Sequence, residues 1–499
     1  MNPPSPSASA RQAPPSASAR QAPLTALASK EFRALLPVWA AAAFAIGADP
    51  LLRGTGMHSL FPLGVFAYIV GSLALGAHVI GHEFTNRTLA SLLVQPCRRS
   101  SILLTKASVL AVMLVGLGVI ARIVLFQSLA QTVGNFPRYP TLYLPVIGGL
   151  CVAPYMTMRL RSQMAGVVFT ATIPGMTYLL ALLGGVIIYG TGTAAAEALA
   201  LSVWTPAMGI FAAIGAVRSA RSFMRLQDTE GGQEELRLPR WFTVTDASPI
   251  RPPLWMLAKK ELRLQQMTFA MVAFYALIWT ALTIASRLNP EFGREFPIRG
   301  VGLLYFALLP LLIGSLASAQ ERQFGMLQSQ AMLPVPRAQQ WAVKAGVVLV
   351  LALVLGVVLP WFVFAPPQLS RASFWPLVAS IALLTTWSLY ISSWCGSGII
   401  ALALLLPASA AAMLLARCID WVVIALLSPR HAVAAYGALT QPSAVFTLWV
   451  IAATPLAVLL LVFAARNHWT SERNPKTVAV QVAGLAGWLL LTDVVVTVL

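Results

Sequence analysis

The chain is 499 residues long, 58% hydrophobic and only 10% charged, against about 25% charged residues in a soluble domain. A water-soluble fold of this composition would expose large apolar patches, so the composition points to an integral membrane protein. The net charge of +18 would suggest nucleic acid in a soluble protein, but the basic residues fall in loops between apolar runs, the pattern of the positive-inside rule, and no nucleic-acid partner is implied.

Residues 6–14 read PSASARQAP, and residues 15–23 repeat it. The stretch has no apolar h-region and is not a signal peptide; residues 1–23 are expected to be a disordered low-complexity tail. Apolar runs long enough to cross a ~30 Å hydrocarbon core as helices then follow. In the first half they cover about 36–52, 61–80, 102–126, 141–157, 165–189 and 199–217. The second half gives about 268–286, 301–319, 342–365, 374–393, 398–416 (extensible to 427) and 444–465, with 478–499 as a thirteenth. None alternates as a transmembrane strand does, so the expected fold is an all-α integral membrane protein.

With the N-terminus in the cytoplasm, 25 of the 34 Lys and Arg fall in inner segments. The opposite orientation reverses that bias and is rejected. The four cysteines, Cys97, Cys151, Cys395 and Cys418, form neither a CxxC pair nor a disulfide framework.

One inner loop occurs twice. Glu83, Leu89, Pro96, Arg99 and Lys106 pair with Glu321, Leu327, Pro334, Arg337 and Lys344 at one constant offset of 238 residues, without a gap. Leu89, Leu92 and Leu93 would share a helix face, and proline would end that helix. Arg98, Arg99 and Arg337 belong at lipid headgroups, and Lys106 and Lys344 are expected to snorkel to the interface. The result is a short amphipathic helix under the membrane, joined to two spans. Before the first span comes Lys30-Glu31-Phe32-Arg33, and before the seventh Lys260-Glu261-Leu262-Arg263. Each half starts in the cytoplasm and has six spans, so the halves are expected to be parallel repeats. They would occupy residues 24–217 and 254–465, joined by a cytoplasmic linker at 218–253 and followed by a turn and extra span at 466–499.

Other features attract blander readings. His78 and His82 lie one helical turn apart, but no third ligand stands out and no metal site is expected. Asp49 and Arg122 are expected near a hydrated outer interface, and Arg417 and Asp420 could pair locally. Pro174, Pro310, Pro360, Pro407 and Pro455 mark expected kinks.

The twice-repeated pattern of Glu, Thr88 or Met326, Leu, Pro, a basic residue and Lys resembles the loop after the second span of ABC-2 type transporter permeases. The Lys-Glu-Phe-Arg and Lys-Glu-Leu-Arg segments resemble the amphipathic helix before that family's first span. The copies differ where Asn86-Arg87 faces Phe324-Gly325. The resemblance implies a multi-pass permease of the plasma (inner) membrane, two six-span units fused in one chain, serving an ATP-driven exporter. It implies that the loop helices dock on a cytoplasmic ATPase, two copies for two loops, which uses ATP and Mg. The chain itself has no G-x-x-x-x-G-K-[ST] loop, so no enzyme activity and no cofactor of its own is expected. An ion-coupled secondary transporter with a six-plus-six repeat and a non-transporting scaffold are the rival readings.

Overall fold

The structure is a computed structural model and describes residues 17–52, 63–86, 88–95, 97–132, 138–190, 194–226, 253–288, 298–323, 325–326, 332, 334–361, 371–426, 442–468 and 475–498. Among the described residues there is no strand. The helices of the first half are α1 (Ala17–Leu52), α2 (Leu63–Thr85), the short α3 (Leu89–Leu93), α4 (Arg99–Thr132), α5 (Arg138–Ile147), α6 (Ala153–Leu160), α7 (Gln163–Tyr189) and α8 (Ala194–Met224). Those of the second are α9 (Pro253–Leu264), α10 (Gln266–Leu288), α11 (Ile298–Gln323), α12 (Arg337–Leu353), α13 (Arg371–Ser392), α14 (Gly398–Leu426) and α15 (Pro442–His468), with α16 (Pro475–Val498) at the end.

Among the described residues seven helices are long and apolar enough to cross a membrane, or eight if the bent pair α9–α10 is one span. These helices carry apolar side chains all round, as helices in lipid do: Val112, Val115 and Ile123 of α4 are exposed while Leu110, Leu114 and Leu117 are buried. The chain therefore has the character of an all-α, multi-pass membrane protein.

Two departures from the sequence reading concern helix ends. α1 begins at Ala17, inside the stretch expected to be disordered, and continues through Pro23. α8 runs on to Met224, into the expected linker, while residues 227–252 lie outside the described set.

Two π-helical segments, Gly148–Val152 and Val354–Val358, interrupt the helices. Each comes just before a proline, Pro154 or Pro360. Proline has no N–H for the carbonyl one turn back, and a wider turn is one way to accommodate the lost bond. The expected kink at Pro360 is thus realised as a π segment.

α2 is buried along almost its whole length and forms the centre of the first half, against α1, α4, α6 and α7. Close approach is set by glycine: a Cβ on Gly76 would stand 2.0 Å from the Gly149 carbonyl oxygen. In α11 the residue in register, Gly314, also packs closely, on α13, where a Cβ would meet Ser388 Cβ at 2.6 Å. Across the halves, α1 packs on α14 and α10 on α7. Each contact joins the first long helix of one half to the fifth of the other.

Candidate functional site: two buried ion-pair clusters at the loop roots

At the end of α2, where the first repeated loop begins, four charged side chains meet. The Lys106 ammonium on α4 donates to Glu31 Oε1 at 2.6 Å, Glu83 Oε1 at 3.2 Å and the Val79 carbonyl at 3.2 Å. Lys30, one residue before Glu31 on α1, donates to Glu83 Oε1 at 3.0 Å. Thr88, at the start of α3, donates its hydroxyl proton to the other Glu83 oxygen. Glu31 and Glu83 are fully buried and Lys106 is 1% exposed. Two buried carboxylates and two ammonium groups balance in charge, the condition under which charges persist away from water.

The second loop root repeats this arrangement. Lys344 on α12 donates to Glu321 and, at 3.0 Å, to the Ala317 carbonyl. It also lies 3.5 Å from Glu261 Oε1. Lys260 donates to Glu321 and lies 3.7 Å from Glu261 Oε1. Even the carbonyls correspond, since Val79 and Ala317 stand at the same offset as the glutamates.

This geometry corrects the expectation for the two lysines. Lys106 and Lys344 do not snorkel to headgroups; their ammonium groups are held inside the protein by carboxylates and a helix carbonyl. Glu31 and Glu261, expected only on interfacial helices, are buried partners in the clusters, whereas Arg33 and Arg263 are exposed. Nor is there a separate interfacial helix before the first span, because α1 is continuous from Ala17 to Leu52. In the second half the break exists: α9 and α10 meet at a 55° bend. Gln265 sits at that bend and donates to the Ile313 carbonyl at 3.0 Å.

The histidines differ between the clusters. In the first, His82 Nδ1 donates to the His78 carbonyl at 2.9 Å, which turns Nε2 to Glu83 Oε1 at 3.2 Å. In the second, the ring comes from the end of α15: His468 Nδ1 bonds Ser318 Oγ at 2.7 Å and Nε2 lies 3.8 Å from Glu321 Oε2. His468 carried no signal in the sequence, because its partners are 150 and 147 residues away. Glu31, His82 and Glu83 each offer a ligand atom, all within 4.8 Å of one another. His78, the other histidine of the sequence pair, is not among them. However, the Lys106 ammonium stands among these oxygens and provides the positive charge that a metal ion would bring.

The loops themselves are described unequally. In the first, Leu89 and Leu92 are buried as the expected apolar face, while Pro96 and the Leu93 side chain lie outside the described residues. In the second, Leu327 lies outside them; Gly325 takes φ +68° just after α11 ends, a left-handed turn that suits glycine. Pro334 and Arg337 are exposed. At the loop tips, Val94 is 83% exposed and Met332 86% exposed, and the two stand in register.

Arginines close helix ends beside both clusters. Arg99 donates to the Met224 and Leu226 carbonyls at 2.8 and 3.2 Å, at and just past the end of α8. Arg322 donates to the Asn467 carbonyl of α15 at 2.7 Å. Arg98 is exposed. Asp49, expected at a hydrated interface, is instead fully buried and accepts from the Gly64 N–H at 3.2 Å. The side chains of Arg417, Asp420 and Asp493 lie outside the described residues.

The chain matches no protein-family model, no curated protein and no solved structure.

Proposed function

We propose that the chain is the membrane-spanning permease subunit of an ATP-driven transporter, an exporter of the plasma (inner) membrane. Two parallel six-span units and a thirteenth span make up its pathway, with the N-terminus in the cytoplasm. The observation that carries this reading is the pairing of the two loop roots. In each half one buried lysine ties the first long helix or its lead-in (Glu31, Glu261) to the root of the loop (Glu83, Glu321) and to the helix that follows it. A force on the loop is thereby delivered to three helices together, as a drive from a docked partner requires. The exposed apolar tips Val94 and Met332 are suited to burial on that partner.

The partner in this reading is a cytoplasmic ABC-type ATPase, two copies for two loops, which uses ATP and Mg; the chain has no phosphate-binding loop. Its bilayer-facing surfaces contact lipid. The test is co-purification with a candidate ATPase, followed by measurement of ATP hydrolysis. Deleting both 83–96 and 321–334 should abolish complex formation and stimulated hydrolysis, and retention of both sinks the reading.

One observation favours the rival ion-coupled carrier: the His82 imidazole is buried beside the Glu31 and Glu83 carboxylates. That carrier would accumulate substrate on a proton gradient with no ATPase present. A scaffold would show neither gradient-driven nor ATPase-driven transport.

A further inference from the structure

The lipid-facing stripe of a membrane helix is apolar along the hydrocarbon core and changes character where the helix leaves it. On α8 the change is abrupt. Residues 198–217 carry no charge, about 30 Å of helix at 1.5 Å per residue, which matches the hydrocarbon core. Arg218, Arg221 and Arg225 follow at once, and all three are exposed. The Arg225 N–H donates to the Arg221 carbonyl at 3.2 Å, so the helical turn continues through Arg225.

Residues three, four and seven apart share a helix face. The three arginines therefore stand on one stripe of α8, and the same stripe continues back through Val217, Ile214 and Ile210, each exposed. Among the described residues none of the three arginines forms an ion pair. Glu197, the single acid of α8, is at its other end. Arg99 of α4 donates to the Met224 and Leu226 carbonyls and so offsets the partial negative charge of the helix C-terminus, which would otherwise repel an anion.

The second half lacks this arrangement. At the loop offset of 238 residues, Leu456, Leu459 and Phe463 of α15 stand where α8 has its arginines. α15 has one exposed cation near its end, Arg466, and the next two residues, Asn467 and His468, are buried. A triple-arginine stripe is therefore not a general consequence of a helix ending at the membrane surface.

We propose that Arg218, Arg221 and Arg225 bind the phosphate of an anionic phospholipid whose acyl chains lie along Ile210, Ile214 and Val217. In a phospholipid the phosphate sits at the end of its own acyl chains, and α8 presents guanidinium groups after apolar side chains in the same order. Guanidinium forks suit phosphate oxygens. Three cations with no acid on their stripe favour a lipid of net negative charge over a zwitterionic one. The rival occupant is the acidic run that follows in the chain, Asp228, Glu230, Glu234 and Glu235; it would match the charge but not the apolar stripe. The site does not depend on the proposed transport function.

The test is photolabelling of the full chain in a neutral detergent. The probe is a limiting amount of phosphatidylglycerol with a diazirine on one acyl chain, and the label is mapped by mass spectrometry. Residues 198–217 should be labelled above α15. Unlabelled phosphatidylglycerol should compete, whereas phosphatidylcholine, and inorganic phosphate at matched ionic strength, should not. Arg218→Gln, Arg221→Gln and Arg225→Gln together should lower the label there at least about tenfold, while Arg33→Gln, Arg263→Gln and Arg466→Gln, an equal loss of charge at other exposed positions, should lower it less than about twofold. Equal losses in the two triple variants, or labelling of 198–217 no higher than that of α15, overturn the site. Competition by phosphatidylcholine overturns the preference for an anionic lipid, and displacement by inorganic phosphate overturns the lipid as ligand. Replacing Asp228, Glu230, Glu234 and Glu235 by the corresponding amides should leave the label within about twofold, and a rise of about tenfold would assign the arginines to those acids instead. No ATPase or transport measurement enters, so failure here is distinct from failure of the docking reading, which the loop deletions test.

Discussion

The two ion clusters use the same four charges but distribute them differently. In the first, the outer lysine, Lys30, is 45% exposed at its side chain and reaches only Glu83. In the second, Lys260 is 25% exposed and reaches both Glu261 and Glu321. The first cluster takes its histidine from α2 and has Thr88 on Glu83; the second takes its histidine from α15, far along the chain. The first loop is thus tied to its cluster by a local hydrogen bond, and the second cluster is tied to the helix before α16. A repeat can keep its charge balance while its halves lean on different neighbours, since a buried carboxylate needs a cation within reach but not from one particular element.

The largest expected effect comes from the central lysines. Lys106→Ala leaves Glu31 with only His82, at 4.0 Å, and should destabilise by about 3–5 kcal/mol, the range for breaking a buried pair. Lys344→Ala should be milder, because Lys260 still reaches both glutamates. Thermal unfolding in detergent checks this. Equal falls in Tm would show that the second lysine does not compensate. Combining Lys106→Met with Glu31→Gln should recover part of the loss.

Next come the glycine crossings. Gly76→Ala places a Cβ against the Gly149 backbone, and Gly314→Ala places one against Ser388 and the Thr385 carbonyl. Both should cost about 1–3 kcal/mol by overpacking. Gly76 should be the worse, since backbone yields less than a serine side chain. The comparison would be reversed by a larger Tm loss at Gly314.

Thr88→Val removes a hydrogen bond to a buried carboxylate, worth about 1.5–3 kcal/mol where charge is involved, and toward the lower figure here because Glu83 keeps Lys30 and Lys106. Met326→Val, at the same point of the second loop, removes no side-chain donor and should shift Tm little. The smallest effect belongs to the arginines at helix ends. Arg99→Met should cost about 0.3–1 kcal/mol, the range for a cation at a helix C-terminus. Arg322→Met should cost slightly more, because its site is more enclosed. If Arg99→Met is the costlier, the two ends are held differently from this account.

Much of the site was legible in the chain. Glu83, Glu321, Lys106 and Lys344 stood out because a fixed offset without gaps is visible in one dimension, and Glu31 and Glu261 stood out beside basic neighbours. Their pairing is not legible, because the rule for isolated charges near helix ends sends such lysines to the interface. Thr85, Gln163 and Gln323, joined by hydrogen bonds across α2, α7 and α11, and His468 carry no signal in the sequence, because a polar residue near a helix end looks like an ordinary loop residue until its partner is known.

The sequence by itself determined the all-α membrane class, the apolar runs and the doubled loop, because all of these follow from composition and spacing. Only the tertiary structure decided that the loop lysines face inward, that α1 runs unbroken where α9 and α10 bend, and that Thr85 meets Gln323. Those outcomes depend on which helices stand side by side, and an ammonium goes wherever an unpaired carboxylate is brought within reach.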